Sequence, residues 1–194
     1  MNLLVLGPQG SGKGTQAEVI AATHDIPHIS TGDMFRAAIA EATELGLRVK
    51  AIIEVGELVP DELTTELVQE RLSAPDAAQG FVLDGYPRNL GQAEALATWL
   101  DGVGRSLDAV LFFDLNDVTA TERALGRAAA SGRTDDTPEV IARRLELYHQ
   151  ETEPVVAFYR AAGLLVALHA ERSIDEVTAE IEAALEPIRE GRAA

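Results

Sequence analysis

The chain has 194 residues, no cysteine, and a formal net charge of −16, from 16 Lys plus Arg against 32 Asp plus Glu. That length carries one large core, and the missing cysteine rules out disulfides and Cys-ligated zinc. The acidity disfavours a nucleic-acid partner, whose phosphates want a basic face, but it allows a small anionic substrate if the few cations converge in one cleft.

The opening run "MNLLVLG" is too short for a signal peptide, and Gly-rich sequence follows at once. No stretch approaches a membrane span, so a cytoplasmic protein without a membrane partner is expected. In chain order, "LLVLG" (3–7) reads as a buried strand that ends in a glycine loop, and "AEVIAATH" (17–24) as a helix continuing from that loop. "PHIS" (27–30), "FVLDG" (81–85), "AVLFFDL" (109–115) and "LLVAL" (164–168) read as four more strands. Near-continuous apolar runs of this kind suit parallel strands covered on both faces. Alternation with helices then implies a doubly wound α/β fold, which binds ligands at the carboxyl ends of its strands. Gly7, Ser30, Asp84 and Asp114 fall near those ends.

Two insertions interrupt the rhythm. Residues 31 to about 72 hold several helices before the next strand. Residues 124–136, "ALGRAAASGRTDD", are small, polar and Arg-bearing, unlike a core element. Thr137 followed by Pro138 reads as an N-cap and first helical position. Pro154 should interrupt the helix that follows, and the tail "REGRAA" is expected to fray.

"GPQGSGKGTQ" (7–16) nearly fits the phosphate-binding loop G-x-x-x-x-G-K-[ST]. Glycines let successive backbone N–H groups face an anion, the helix N-terminus adds its dipole, and Lys13 supplies a point charge. Gly14 stands where a metal-binding hydroxyl is usual, so Mg²⁺ must be held by phosphates, water and a carboxylate elsewhere. Asp84, ending an apolar strand, is placed for this, since a carboxylate buried beside phosphates is costly without a cation. Alternatively, Asp84-Gly85 is only a turn.

The arginines divide by their neighbours. Arg143 has Glu139 and Glu146 at helical spacing and reads as a surface ion pair. Arg144 lies on the apolar face among Val140, Ile141, Leu147 and Tyr148, and a half-buried Arg needs an anion. Arg123 and Arg127 stand i, i+4 with no acid three or four residues away, a repulsive arrangement. Arg36 has Asp33 as a local partner. Arg88 follows Pro87 just beyond the strand that carries Asp84, within reach of two phosphate positions.

Taken together, "GPQGSGKGTQ", "ISTGDMFR", "GELVPDELT", "GFVLDGYPRNLGQAEAL" and "GRTDDTPEVIARRLELYHQETEPVVAFY" resemble the adenylate kinases, in order and at family spacing, from residue 1 to about 190. The resemblance implies a P-loop nucleoside monophosphate kinase fold with a five-stranded parallel sheet. It implies one domain over 1–194, with an AMP-binding insertion at 30–59 and a short lid at 126–136. The implied reaction passes the γ-phosphoryl of Mg·ATP to AMP and gives two ADP; a monomer is implied, and the short lid lacks a structural zinc. Gln9 departs from the family, where Pro is more usual, at a position whose side chain need not touch phosphate.

By the same resemblance, Gly10, Ser11, Gly12, Lys13, Gly14 and Thr15 hold ATP, with Arg123 and Arg127 over its phosphates and the Arg172 backbone near its adenine. The AMP side falls to Thr31, Arg36, the backbone of Glu57, Leu58 and Val59, then Gly85, Tyr86, Pro87, Arg88 and Gln92, with Arg133 and Arg144. Catalysis falls to Lys13, Arg88, Arg123, Arg127, Arg133 and Arg144. Asp84 helps to hold Mg²⁺ through water, and Asp135 and Asp136 latch the lid against arginines. Thr31 and Gln92 would read adenine, because a Gln amide both donates and accepts. A kinase acting on UMP or CMP, and a nucleotide-binding module without turnover, remain as alternatives.

Overall fold

The computed structural model describes residues 1–131 and 136–193. Strands β1 (Asn2–Leu6), β2 (His28–Ser30), β3 (Phe81–Asp84), β4 (Ala109–Asp114) and β5 (Leu165–His169) form one sheet in the order β2-β3-β1-β4-β5. Every pairing is parallel; Leu4 stands opposite Leu83 on one side and Val110 on the other. The helices are α1 (Lys13–His24), α2 (Thr31–Ala40), α3 (Glu44–Glu54), α4 (Asp61–Leu72), α5 (Leu90–Gly102), α6 (Asp117–Ser131), α7 (Pro138–Leu147), α8 (Glu153–Ala161) and α9 (Ile174–Ala193).

Side chains of a strand alternate between faces, and both faces here are covered. Leu3, Val5, Val82, Leu111 and Phe113 pack with Ala17 and Ile20 of α1, Ala120 and Ala124 of α6, Ile141 of α7 and Ile181 of α9. Leu4, Leu6, Leu83 and Val110 face the other way, onto Val68 of α4, Leu96 of α5 and Val155 of α8. This two-sided burial is why the strands are apolar without alternation. A smaller third cluster, Phe35, Val49 and Val59, gives α2 and α3 a core of their own, whereas Val68 and Leu72 tie α4 to the sheet. The chain leaves β1 towards β2 and leaves β4 towards β5, so a crevice opens over the carboxyl ends of these adjacent strands.

Local chemistry sets several boundaries. The side chains of Ser30, Thr43, Asn89 and Thr137 accept from backbone N–H groups at the starts of α2, α3, α5 and α7. A π-helical turn, Tyr148–Thr152, separates α7 from α8, and Pro154 sits in the first turn of α8.

Two expectations are corrected. The stretch from residue 124 is not excluded from the core: α6 continues to Ser131, and Ala124 is fully buried. Ala124 lies where the helix packs closely on the loop, since a Cβ at Gly10 would lie 3.2 Å from the Ala124 backbone nitrogen and 2.3 Å from the Ala120 carbonyl oxygen. The tail is helical up to Ala193, where α9 ends after passing through Pro187; Ala194 lies outside the described residues.

Candidate active site

A cleft of about 500 Å³ opens where the crevice predicts it, and Lys13, Arg36, Arg88, Arg123, Arg127 and Arg144 all line it. In so acidic a chain, that convergence focuses positive potential on one place. The floor is the loop between β1 and α1. Gly10 (φ +80) and Gly12 (φ +84) take left-handed conformations that favour glycine. Lys13 Nζ donates to the Pro8 carbonyl at 3.1 Å, and the Ser11 hydroxyl is buried without a hydrogen-bond partner among the described residues. Gln9 reaches away from the loop and donates to the Ile141 carbonyl at 3.3 Å, joining it to α7.

Asp84 closes the floor at the end of β3. A Cβ on Gly14 would stand 3.5 Å from its Oδ2, so the missing side chain leaves room beside this carboxylate. Burial pushes the Asp84 carboxyl up, but His28, Lys13 and Arg88 outweigh it and hold it below the usual carboxylate range. His28 Nε2 lies 3.7 Å from Oδ2, too far for a hydrogen bond but close enough for charge attraction. An ionised carboxylate beside a phosphate loop fits Mg²⁺ that arrives with phosphates and keeps its waters. Among the described residues, no group of three or more His, Asp or Glu is gathered to hold a metal without such help.

Arg88 is fixed from three sides. Its backbone N–H donates to Gln92 Oε1 at 2.7 Å, its Nε donates to the Gly85 carbonyl at 2.8 Å, and its carbonyl accepts from the Thr152 hydroxyl at 2.8 Å. Burial depresses its pKa, Asp84 opposes this, and Arg144 and Arg36 push it further down. Such crowding of like charges is eased by an anion. Gly85 (φ +81) has no room for a side chain, because a Cβ would meet the Thr31 hydroxyl at 2.6 Å. Thr31, itself buried, donates from that hydroxyl to the Asp84 carbonyl at 3.4 Å.

The opposite wall comes from α6 and α7. Asp136, buried, accepts from Arg127 Nη2 and Arg144 Nη1, each at 2.7 Å. Arg144 also donates to the Ile53 carbonyl at 3.3 Å, and Arg143 pairs with Glu57 at 2.8 Å, so α7 meets the insertion built on α2 and α3. Arg123 donates to the carbonyls of Ala170 and Glu171 at 2.7 and 3.2 Å.

The local readings of the arginines therefore change in part. Arg127 and Arg144 have an acidic partner, Asp136, and Arg123 is held by carbonyls. Arg143 pairs with Glu146 as expected, but its second partner is Glu57 and not Glu139. Arg36 keeps Asp33, at 2.5 Å.

The cleft brings together Gly10, Gly12, Gly14, Thr15, Thr31, Glu57, Leu58, Val59, Asp84, Gly85, Pro87 and Gln92 with the six cations. Tyr86 is not on its wall: it is fully buried in the core, and its hydroxyl lies 2.9 Å from the Thr65 hydroxyl. Arg172 is exposed and faces Glu180 on α9 at 3.9 Å. Arg133 and Asp135 lie outside the described residues. His28, Thr64 and Tyr148 also line the cleft, and none stands in a phosphate-loop or arginine pattern that would mark it in the sequence. His28 precedes "IST" by a single residue, and that proximity was the available signal.

The loop between β1 and α1 faces arginines across a cleft of about 500 Å³, and known proteins are similar to this chain in sequence. Residues 5–164 match the family model described as adenylate kinase. An adenylate kinase of Stenotrophomonas maltophilia (strain K279a) is 47% identical over 185 residues, covering 95% of this chain and 99% of the relative. One from Brucella anthropi is 46% identical over 193 residues, covering 96% and 100%. With the match running nearly end to end in these relatives and the cleft built from the matched segments, the chain belongs to the adenylate kinase family.

Proposed function

We propose how this chain carries out the family's reaction, the reversible passage of the γ-phosphoryl of ATP to AMP to give two ADP. ATP phosphates lie in the loop Gly10–Thr15 with Lys13 on the β and γ groups. The AMP phosphate lies between Arg36 and Arg88, with its base against Thr31, Gln92 and the Glu57–Val59 segment. Arg88, Arg127 and Arg144 then surround the transferring group. Arg123 acts from the wall it shares with the turn after β5, and reaches phosphate only by releasing the carbonyls of Ala170 and Glu171.

Phosphoryl transfer needs positioning and charge stabilisation more than covalent help, so an arginine cluster without an obvious general base suits the chemistry. Mg²⁺ bound with ATP would neutralise charge on the β and γ oxygens, with Asp84 holding it through water. Residues 30–59 act as the AMP-binding insertion and 126–136 as the lid, with Arg133 on it. Closure of both over the substrates excludes the water that would otherwise accept the phosphoryl group. The chain works as a cytoplasmic monomer on these small molecules, with no structural zinc and no nucleic-acid or membrane partner.

One observation carries the reading: six cations from α1, α2, the segment after β3, α6 and α7 line one cleft of a chain with net charge −16. Initial rates with Mg·ATP and each of AMP, CMP, UMP and GMP test it. ADP formation should be fastest by far with AMP. Faster turnover of a pyrimidine nucleotide, or binding of AMP with no ADP formed, would overturn it.

A further inference from the structure

The Gln92 side chain is 2% exposed at residue level, lines the cleft, and has both ends of its amide already engaged. Its Oε1 accepts from the Arg88 backbone N–H at 2.7 Å, and its Nε2 donates to Asp61 Oδ1 at 2.7 Å. A backbone N–H can only donate and a carboxylate can only accept. These two partners therefore admit one orientation of the amide. Turning it over would set N–H against N–H and a carbonyl lone pair against the carboxylate. Asp61 is itself held: Asn89 Nδ2 donates to both of its oxygens at 2.9 Å, while Asn89 Oδ1 accepts from the Gln92 backbone N–H at 2.9 Å. Asp61 opens α4, is exposed, and is not among the residues lining the cleft.

Two capacities of the locked amide stay open: one lone pair on Oε1 and one hydrogen on Nε2. An acceptor beside a donor matches a purine that carries an amino group at position 6, which offers N–H and then the N1 lone pair. A 6-oxopurine offers the reverse, an oxygen and then N1–H, and meets the amide acceptor to acceptor and donor to donor. We propose that Asp61 is a positioning residue for the specificity of the monophosphate site: together with the Arg88 N–H it fixes the Gln92 amide so that the site takes 6-aminopurine nucleotides and rejects 6-oxopurines. This rests on the reading of Gln92 as the contact to the AMP base. The same lock rejects uracil, whose edge has the oxo pattern; cytosine shows the amino pattern, so its exclusion falls to size.

The test compares AMP with IMP, which differ only at that edge, in wild type, Asp61→Ala and Asp61→Asn. Asn keeps an oxygen where Asp61 Oδ1 accepts from both Gln92 and Asn89, so it preserves both anchors of the amide; Ala removes the anchor on Nε2 and leaves only the Arg88 N–H on Oε1. The ratio of kcat/KM for AMP to that for IMP is independent of how much enzyme is folded. It should fall about tenfold in Asp61→Ala, the factor that one net hydrogen bond is worth, and stay within about threefold of wild type in Asp61→Asn. KM for ATP should not move in either. If Asp61→Ala raises KM for AMP while the AMP-to-IMP ratio holds, Asp61 merely props the pocket and the proposal fails. If wild type makes no ADP from AMP, the underlying reading fails instead, and the two failures are distinct.

Discussion

Arg123 and Arg127 stand four residues apart on α6, and local spacing leaves them as two like charges with nothing to answer them. The fold answers each differently. Arg127 reaches Asp136, nine residues on, and Arg123 reaches the carbonyls of Ala170 and Glu171 across the sheet. No helical spacing rule extends to either partner, so the cations are legible in the sequence and their contacts are not. The same holds for Asp61 beneath Gln92 and for His28 beside Asp84, pairs separated by 31 and 56 residues. Arg123→Met follows directly. Removing a charged donor from two carbonyls should cost about 1–2 kcal/mol in the unliganded protein, read from a urea midpoint. Turnover should fall as well, by up to about 10³ if Arg123 swings onto phosphate. An unchanged or raised midpoint would mean that its carbonyl contacts contribute nothing.

Among the elements, His149 joins three. It lies in the π-helical turn, with Nε2 at 3.0 Å from both oxygens of Asp117 in the first turn of α6 and Nδ1 at 3.0 Å from Glu153 in the first turn of α8. The Tyr148 ring meets it edge-on. Hydrogen bonds to Glu153 and then to Asp117 raise its pKa, and its slight burial opposes them only weakly. The folded chain thus favours the imidazolium. Its stabilisation is complete below the unfolded value of about 6.5 and fades as pH rises through the higher folded value. His149→Gln should lower the unfolding free energy, read from the urea midpoint, most near pH 6, by about 0.2–1 kcal/mol for half-exposed ion pairs, and by progressively less towards alkaline pH. A gap that widens as pH rises would contradict this.

Element type follows sequence best where burial is symmetrical. All five strands are legible as apolar runs because helices cover both faces of the sheet. The continuation of α6 to Ser131 is not, because Ala120 and Ala124 are small for a reason the sequence hides: the backbone of the phosphate loop presses against them at Gly10. Composition alone makes that helix look like a surface loop.

At the scale of the whole molecule, α7 holds the two sides of the cleft together. Arg143 bonds Glu57, Arg144 bonds the Ile53 carbonyl, and Gly56 lies so close that a Cβ there would sit 3.2 Å from Val140. The insertion built on α2 and α3 therefore leans on α7, and the phosphate loop reaches the same helix through Gln9. Loop, insertion and α7 each bring cations to one cleft, and in the proposed function this shared set lets two nucleotides meet phosphate to phosphate. Two adenosines joined through five phosphates would span both positions at once. Calorimetric titration of this compound, followed by competition with ATP and with AMP, measures that directly. The account predicts one molecule bound per chain, displaced by either nucleotide, and a stabilisation of about 2.7 kcal/mol at a hundredfold excess over its Kd. Two molecules bound per chain, or competition with only one of the nucleotides, would contradict a single cleft in which ATP and AMP adjoin.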